Sequence, residues 1–280
     1  MKIAAVFCVY NEEEYLEYAV RSILPGVEQV ILCLGLSPYT AYRAEGSLEP
    51  YPPDGTEKIV DRLAREFPSK IQVIKENWPS QMEHRESGLK RCLELGMDYH
   101  FLVDGDEVYR PDHLRHIRET IEQHPEAGTF IIKCHTFWRS FRYRIPPEIL
   151  TWRPRRIFKL TRNHRILGIP FPHKLKFVGA NDLNGIGTIY EFPPAEAAFY
   201  HFSYARSADR LREKLATFPH AHQILSGWYE RVWRVWPEQR GMENIHPTDP
   251  PKFPRAMKTP LDDLPLIMKT HPYYGQDIIA

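Results

Sequence analysis

Within the first 105 or so positions, four apolar runs alternate with segments whose apolar residues recur at helical spacing, and few folds accept that order. The runs are Lys2 to Val9, Glu28 to Leu36, Ile71 to Ile74 and Phe101 to Val103. Apolar runs without alternation fit strands covered on both faces. Between them lie Leu16, Ala19, Val20, Ile23 and Leu24, then Ile59, Val60, Leu63 and Phe67, then Met82, Leu89, Cys92, Leu93 and Leu95. Pro25-Gly26 ends the first helical pattern, and Asn77-Trp78-Pro79-Ser80 starts the third, leaving His84, Arg85 and Lys90 near its start and outer side. A further helix from Pro111 to Gln123 and a strand from Thr129 to Cys134 continue the series. This alternation predicts an α/β chain with a doubly wound, mostly parallel sheet flanked by helices and right-handed crossovers.

The fourth run ends in Asp104-Gly105-Asp106-Glu107, three carboxylates within four residues. At the carboxyl edge of an open α/β sheet, strand-tip loops form the ligand crevice. Gly105 lets the backbone come close, so both aspartates can face one point. Crowded carboxylates repel unless a cation sits between them, and hard oxygen donors suit Mg²⁺ or Mn²⁺ carrying a phosphate-bearing substrate. A polar loop, or a cap for the helix after Pro111, would explain the same residues. The first run is followed by Asn11-Glu12-Glu13-Glu14, where Asn11 can cap the next helix and acids suit its first turn. Alternatively the Tyr10-Asn11-Glu12 corner touches a nucleotide.

With 42% hydrophobic and 26% charged residues, the 280-residue chain has an ordinary globular composition. Its net charge of +1 offers no global field for nucleic acid or membrane. No apolar segment approaches the roughly 20 residues of a transmembrane span. The N-terminus lacks the pattern of a secretory signal, so a cytoplasmic location is expected. Cys8, Cys33, Cys92 and Cys134 are scattered and argue against structural zinc. Of 25 prolines, 16 fall from Pro146 onward, which predicts a regular first half and a loop-rich second. From Arg139 to Lys176 eleven Lys or Arg face one acid, Glu148, with Trp138, Phe141, Tyr143, Trp152, Phe158 and Phe171 interleaved. These read either as an aromatic sheet face with stacked arginines or as a wall for an anionic acceptor or leaving diphosphate. The expected organisation is a catalytic domain over 1–205, divided at 134 into a donor half and an acceptor half, followed by a helical, proline-rich extension over 206–280.

The Val9-Tyr10-Asn11-Glu12-Glu13 corner, the Asp54-Gly55-Thr56-Glu57 helix start, Glu76-Asn77 and Phe101-Leu102-Val103-Asp104-Gly105-Asp106-Glu107 together resemble family 2-like glycosyltransferases of the GT-A fold. The match in order and spacing runs from Lys2 to Cys134, and His201-Phe202-Ser203-Tyr204-Ala205 before a basic helix is similar to the strand-end histidine of many relatives. The resemblance implies a nucleoside-diphosphate sugar donor, a Mn²⁺ or Mg²⁺ cofactor and an acceptor of undetermined kind, such as a glycan, a lipid-linked glycan or a small molecule. It places Asp106 on the metal, Asp104 on the ribose or the metal, and His201 as a further ligand. Tyr10 and Glu12 would border base and ribose, and Arg85 the sugar-phosphate. Leu34-Gly35-Leu36 stands where the family often has an acid pair that holds the base.

Inverting transfer needs a base within reach of the acceptor hydroxyl, and Asp182, Glu191 and His173 are the candidates in the loop-rich half. Three other classes share features with the chain: a non-catalytic nucleotide-sugar-binding relative, a D-x-D phosphatase and a sugar nucleotidyltransferase. A phosphatase would carry its aspartates at the first strand, and a nucleotidyltransferase would open on a glycine- and basic-rich phosphate loop.

Overall fold

A computed structural model describes residues 1–40, 53–161, 188–217, 221–236 and 241–279, together with the backbone of 166–167 and 176–177. The first strand, β1 (Ile3–Val9), is buried along most of its length, as a run apolar on both faces requires. It is followed by α1 (Leu16–Ile23), β2 (Gln29–Gly35), α2 (Thr56–Glu66), β3 (Ile71–Glu76), α3 (Gln81–Glu94) and β4 (Tyr99–Val103). Leu16, Ala19, Val20 and Ile23 bury one face of α1, and Val60 and Leu63 anchor α2. After β5 (Glu107–Val108), α4 (Pro111–Gln123) begins on the proline itself. A missing N–H costs nothing at that position, and the proline's φ already suits a helix.

Next come β6 (Ala127–Ile131), β7 (Lys133–Trp138), β8 (Tyr143–Ile145), β9 (Arg155–Lys159), β10 (Ile166–Leu167), β11 (Lys176–Phe177), β12 (Thr188–Glu191), β13 (Ala198–Tyr204), α5 (Ala208–Thr217) and β14 (Met257–Lys258). Seven strands form the main sheet in the order β12-β6-β9-β4-β1-β2-β3. Strands β3, β2, β1 and β4 are mutually parallel, while β9 runs antiparallel between β4 and β6. The sheet is therefore doubly wound and mostly parallel, as expected. Its order reverses beside β1, since β2 lies on one flank and β4 on the other. A crevice opens at such a switch point.

A second sheet, β14-β8-β7-β13-β5, stands against this edge. The expected single strand from Thr129 to Cys134 is in fact two, because the chain leaves the main sheet at Ile132 and enters the second as β7. Ile132 is itself buried, so hydropathy carried no sign of the break. Phe137 and Phe202 stack at 4.7 Å on β7 and β13, and Tyr15, Phe141, Leu264 and Met268 complete their cluster. Trp138 packs edge-on to Trp228 and Trp236, so the segment after 205 contributes to the cores of the rest of the chain. No helix among the described residues is long and apolar enough to cross a membrane.

Two local expectations are corrected. Helix α1 starts at Leu16, so Asn11 does not cap it. Asn11 instead adopts φ +50 and accepts a hydrogen bond from the Asp54 amide at 3.2 Å. His84 and Arg85 are buried on α3, not outside it. Helix α3 can lie this close to the sheet because Gly88 faces Val6 and Cys33.

Candidate active site

The corner after β1 is fastened to the start of α2. The Glu12 amide donates to Thr56 Oγ1 at 2.7 Å, the Glu13 amide to Asp54 Oδ2 at 3.1 Å, and Glu13 Oε2 accepts from the Gly55 amide at 2.6 Å. Opposite stands the β4 tip. A Cβ on Gly105 would lie 3.1 Å from Glu12 Cβ and Cγ, so the glycine is what allows the two corners to meet. Between them and the second sheet opens a cavity of about 610 Å³. Tyr10, Glu12, Arg85, Asp104, Asp106 and His201 all line it.

Asp104 accepts from Arg85 at 3.4 Å and from both terminal nitrogens of Arg156 at 3.3 Å. Burial opposes its ionisation, yet Arg156 and Arg85 outweigh it and hold the carboxyl below its ordinary value. Glu107 lies deeper, paired with Arg156. Asp106 and His201 do converge, with Nε2 3.6 Å from Oδ1. Asp106 Oδ2, however, accepts from Lys214 Nζ at 2.5 Å, Arg206 Nη2 at 3.0 Å and Ser203 Oγ at 3.0 Å. Burial works against this carboxylate too, but Lys214, His201 and Arg206 keep it well below the carboxylate range. His201 is pushed down to about 4, first by burial.

Glu12 completes the network. It accepts from Arg206 at 2.5 Å and from Lys214 at 3.2 Å. The expectation that crowded carboxylates need a metal between them meets a different arrangement here. Glu12, Asp104, Asp106 and Glu107 are matched by Arg85, Arg156, Arg206 and Lys214. A divalent cation needs several open oxygen or nitrogen donors. Among the described residues no three His, Cys, Asp or Glu side chains are disposed to hold one. With Asp106 Oδ2 filled by an ammonium, a guanidinium and a hydroxyl, the donors present do not fit such a cation.

Arg206, Arg210 and Lys214 were not singled out from sequence. Their spacing of four, carried into α5 directly after the His201 strand, is the signal that could have found them, because it sets one basic stripe facing the strand tips. Arg210 ties the same stripe to Asp54, Glu13 and Glu213. The basic stretch after Arg139 divides its duties. Arg139 stacks 4.6 Å over Trp233 and donates to three carbonyls, whereas Arg153 and Arg155 line the cavity. Glu191, at the end of β12, pairs with Arg153 and is not among the cavity-lining residues. Asp182 and His173 lie outside the described residues.

Positions 51–180 match the profile of Glycosyl transferase family 2. No curated protein matches the chain. Among solved structures, S. aureus TarS is similar at 19% identity and TM-score 0.45, over 77% of this chain and 38% of TarS. TarS 1-349 in complex with UDP gives 18% and 0.45, over 78% and 64%. The mannosyltransferase PcManGT from Pyrobaculum calidifontis, in complex with GDP-Man and Mn²⁺, gives 15% and 0.45, over 79% and 64%. The chain thus spans less than two thirds of the length of these structures.

Proposed function

We propose that the chain is a glycosyltransferase that binds a nucleoside-diphosphate sugar in the strand-tip cavity and moves the sugar to an acceptor hydroxyl with inversion. The observation that carries this reading is the meeting, at the switch point beside β1, of Tyr10 and Glu12 from one strand tip with Asp104 and Asp106 from the next, beside a cavity of about 610 Å³. That volume suits a ligand of this size. Tyr10 and Glu12 border base and ribose in this reading, Asp104 faces the ribose, and Arg85 holds Asp104 while facing the sugar-phosphate. The absent acid pair at Leu34-Gly35-Leu36 is offset by a different platform at the same strand end, where Trp78 stacks on His84 at 4.0 Å and Tyr39 bonds His84 at 2.9 Å.

Transfer requires positive charge beside the departing diphosphate and a base beside the acceptor. Arg153 and Arg155 form the basic wall on the acceptor side and favour an anionic acceptor. The proton of the acceptor hydroxyl passes to Asp182, Glu191 or His173, Glu191 being paired with Arg153. A cytoplasmic setting belongs to the same proposal and agrees with four free cysteines. A phosphatase would need an unengaged aspartate nucleophile, whereas Asp104 and Asp106 are both held by cations.

The test is a thermal-shift screen of uridine, guanosine, cytidine and thymidine diphosphate sugars, followed by donor hydrolysis with the stabilising nucleotide. One donor class should raise the melting temperature and be hydrolysed slowly. Stabilisation without any turnover would favour the non-catalytic relative, and no stabilisation by any of them would end the reading.

A further inference from the structure

Lys214 reaches the strand tips from α5 and places its ammonium between two carboxylates, 2.5 Å from Asp106 and 3.2 Å from Glu12. An ammonium has three N–H donors. Two meet these acids, and the third meets no acceptor among the described residues. The side chain keeps 24% exposure and lines the cavity, so the charge is presented to a ligand there. Beneath it Arg206, with 2% exposure, spans Glu12, Glu14 and Asp106 and holds the seat in place.

Glu12, Asp104, Asp106 and Glu107 each meet at least one of Arg85, Arg156, Arg206 and Lys214, and Glu14 shares Arg206, without any added ion. A divalent cation on Asp106 Oδ2 would have to displace Lys214, and with it the tie to Glu12. Deepening the glycosyltransferase reading, on which it rests, we propose that the Lys214 ammonium, seated by Asp106, Glu12 and Arg206, provides the positive charge beside the donor diphosphate that a metal would otherwise provide. Donor binding and transfer then proceed without metal.

In that transfer the acceptor oxygen bonds to the anomeric carbon while the bond from that carbon to the diphosphate oxygen breaks. The electron pair stays on the departing nucleoside diphosphate, whose added negative charge develops beside Lys214. The hydroxyl proton passes to the base. Charge placed in advance where charge develops is the form of stabilisation enzymes use most. Lys214 acts on the phosphate directly, and Arg206 is a positioning residue that keeps the carboxylates and the lysine in register.

The experiment uses the full chain stripped with EDTA, with binding of UDP, GDP, CDP and dTDP followed by calorimetry with and without Mn²⁺, and bound Mn²⁺ followed by electron paramagnetic resonance. One nucleoside diphosphate should bind equally well in EDTA and in Mn²⁺, with no Mn²⁺ retained by the complex. Lys214→Met should weaken that binding about tenfold and lower donor hydrolysis about 10²-fold or more, the usual loss when one preorganised donor is removed, without rescue by Mn²⁺. Lys214→Arg should keep most of both, which a merely structural lysine would not require. Circular dichroism checks each variant, and if Lys214→Met does not fold, the arginine variant and the wild-type Mn²⁺ titration decide alone. Nucleotide binding that depends on Mn²⁺, or is unchanged in Lys214→Met, overturns the inference and leaves the glycosyltransferase reading standing. Failure of every nucleoside diphosphate under both conditions removes the two together.

Discussion

Arg156 and Glu107 form an ion pair from which solvent is shut out, the side chains keeping 1% and 0% exposure. The pair exists because β9 runs antiparallel beside β4 and carries Arg156 under the loop that β4 opens into. The same guanidinium reaches Asp104 and lies 4.8 Å over the Phe199 ring. Burial drives the Glu107 carboxyl well above its ordinary range, and Arg156 opposes the shift. Arg156→Met should therefore strand an uncompensated acid and cost about 3–5 kcal/mol of folding free energy. Urea unfolding measures it, and a loss below about 1 kcal/mol, the value of an exposed pair, would contradict the assignment.

Stability should also depend on pH through three buried histidines, His84, His135 and His271, and the half-buried His201. Burial first of all holds His84, His201 and His271 down to about 4, and His135 to about 3. The unfolded rings take up protons near the ordinary value of 6.5, which the folded chain refuses until about 4 or below. Their contribution is thus complete above 6.5 and is lost as the pH falls toward 4, by up to about 1.4 kcal/mol per pH unit for each ring. His135→Phe keeps an aromatic ring against Tyr200 and removes one titration, so its stability should fall less steeply across that window. A slope equal to that of the wild type would exclude His135 from the effect.

The approach of α3 to the sheet rests on one missing side chain. A Cβ on Gly88 would be driven into Val6 Cγ1 and come within 3.2 Å of Cys33 Sγ, both belonging to buried strands. Gly88→Ala should cost about 1–3 kcal/mol by overpacking, despite alanine's better helix propensity. Thermal unfolding that rises on this substitution would show α3 to be less tightly seated than described.

The basic wall makes a separable prediction. Arg153 and Arg155 line the cavity, and Arg153 is 60% exposed in its pair with Glu191. Replacing both with glutamine should raise KM for an anionic acceptor about tenfold or more, because a hydrogen bond to a charged group contributes about 1.5–3 kcal/mol. Transfer to a neutral acceptor should change little. Equal losses for the two acceptors, in initial rates at saturating donor, would count against an anionic acceptor site.

Much of the architecture could be read directly. The helix expected from Pro111 to Gln123 is found with those bounds, since proline at its start and apolar residues on one face are local signals. The switch-point placement of Tyr10, Glu12, Asp104 and Asp106 likewise follows from counting parallel strands. The division at Ile132 could not be read, because both strands it separates are apolar and only their neighbours differ. Nor could the burial of His84, whose hydrogen-bond and stacking partners are Cys33, Tyr39 and Trp78.

By itself the sequence determined the α/β alternation, the carboxylate-rich strand tips and the crevice they border, because these arise from spacing within short stretches of chain. Only the tertiary structure decided what neutralises those carboxylates. Arg156, Arg206 and Lys214 come from positions remote in the chain, and which cation reaches which acid depends on how β9 and α5 pack against the β4 tip. Coulombic attraction falls off with distance through space and takes no account of separation along the chain, so a pattern of residue types shows the charges but not their pairing.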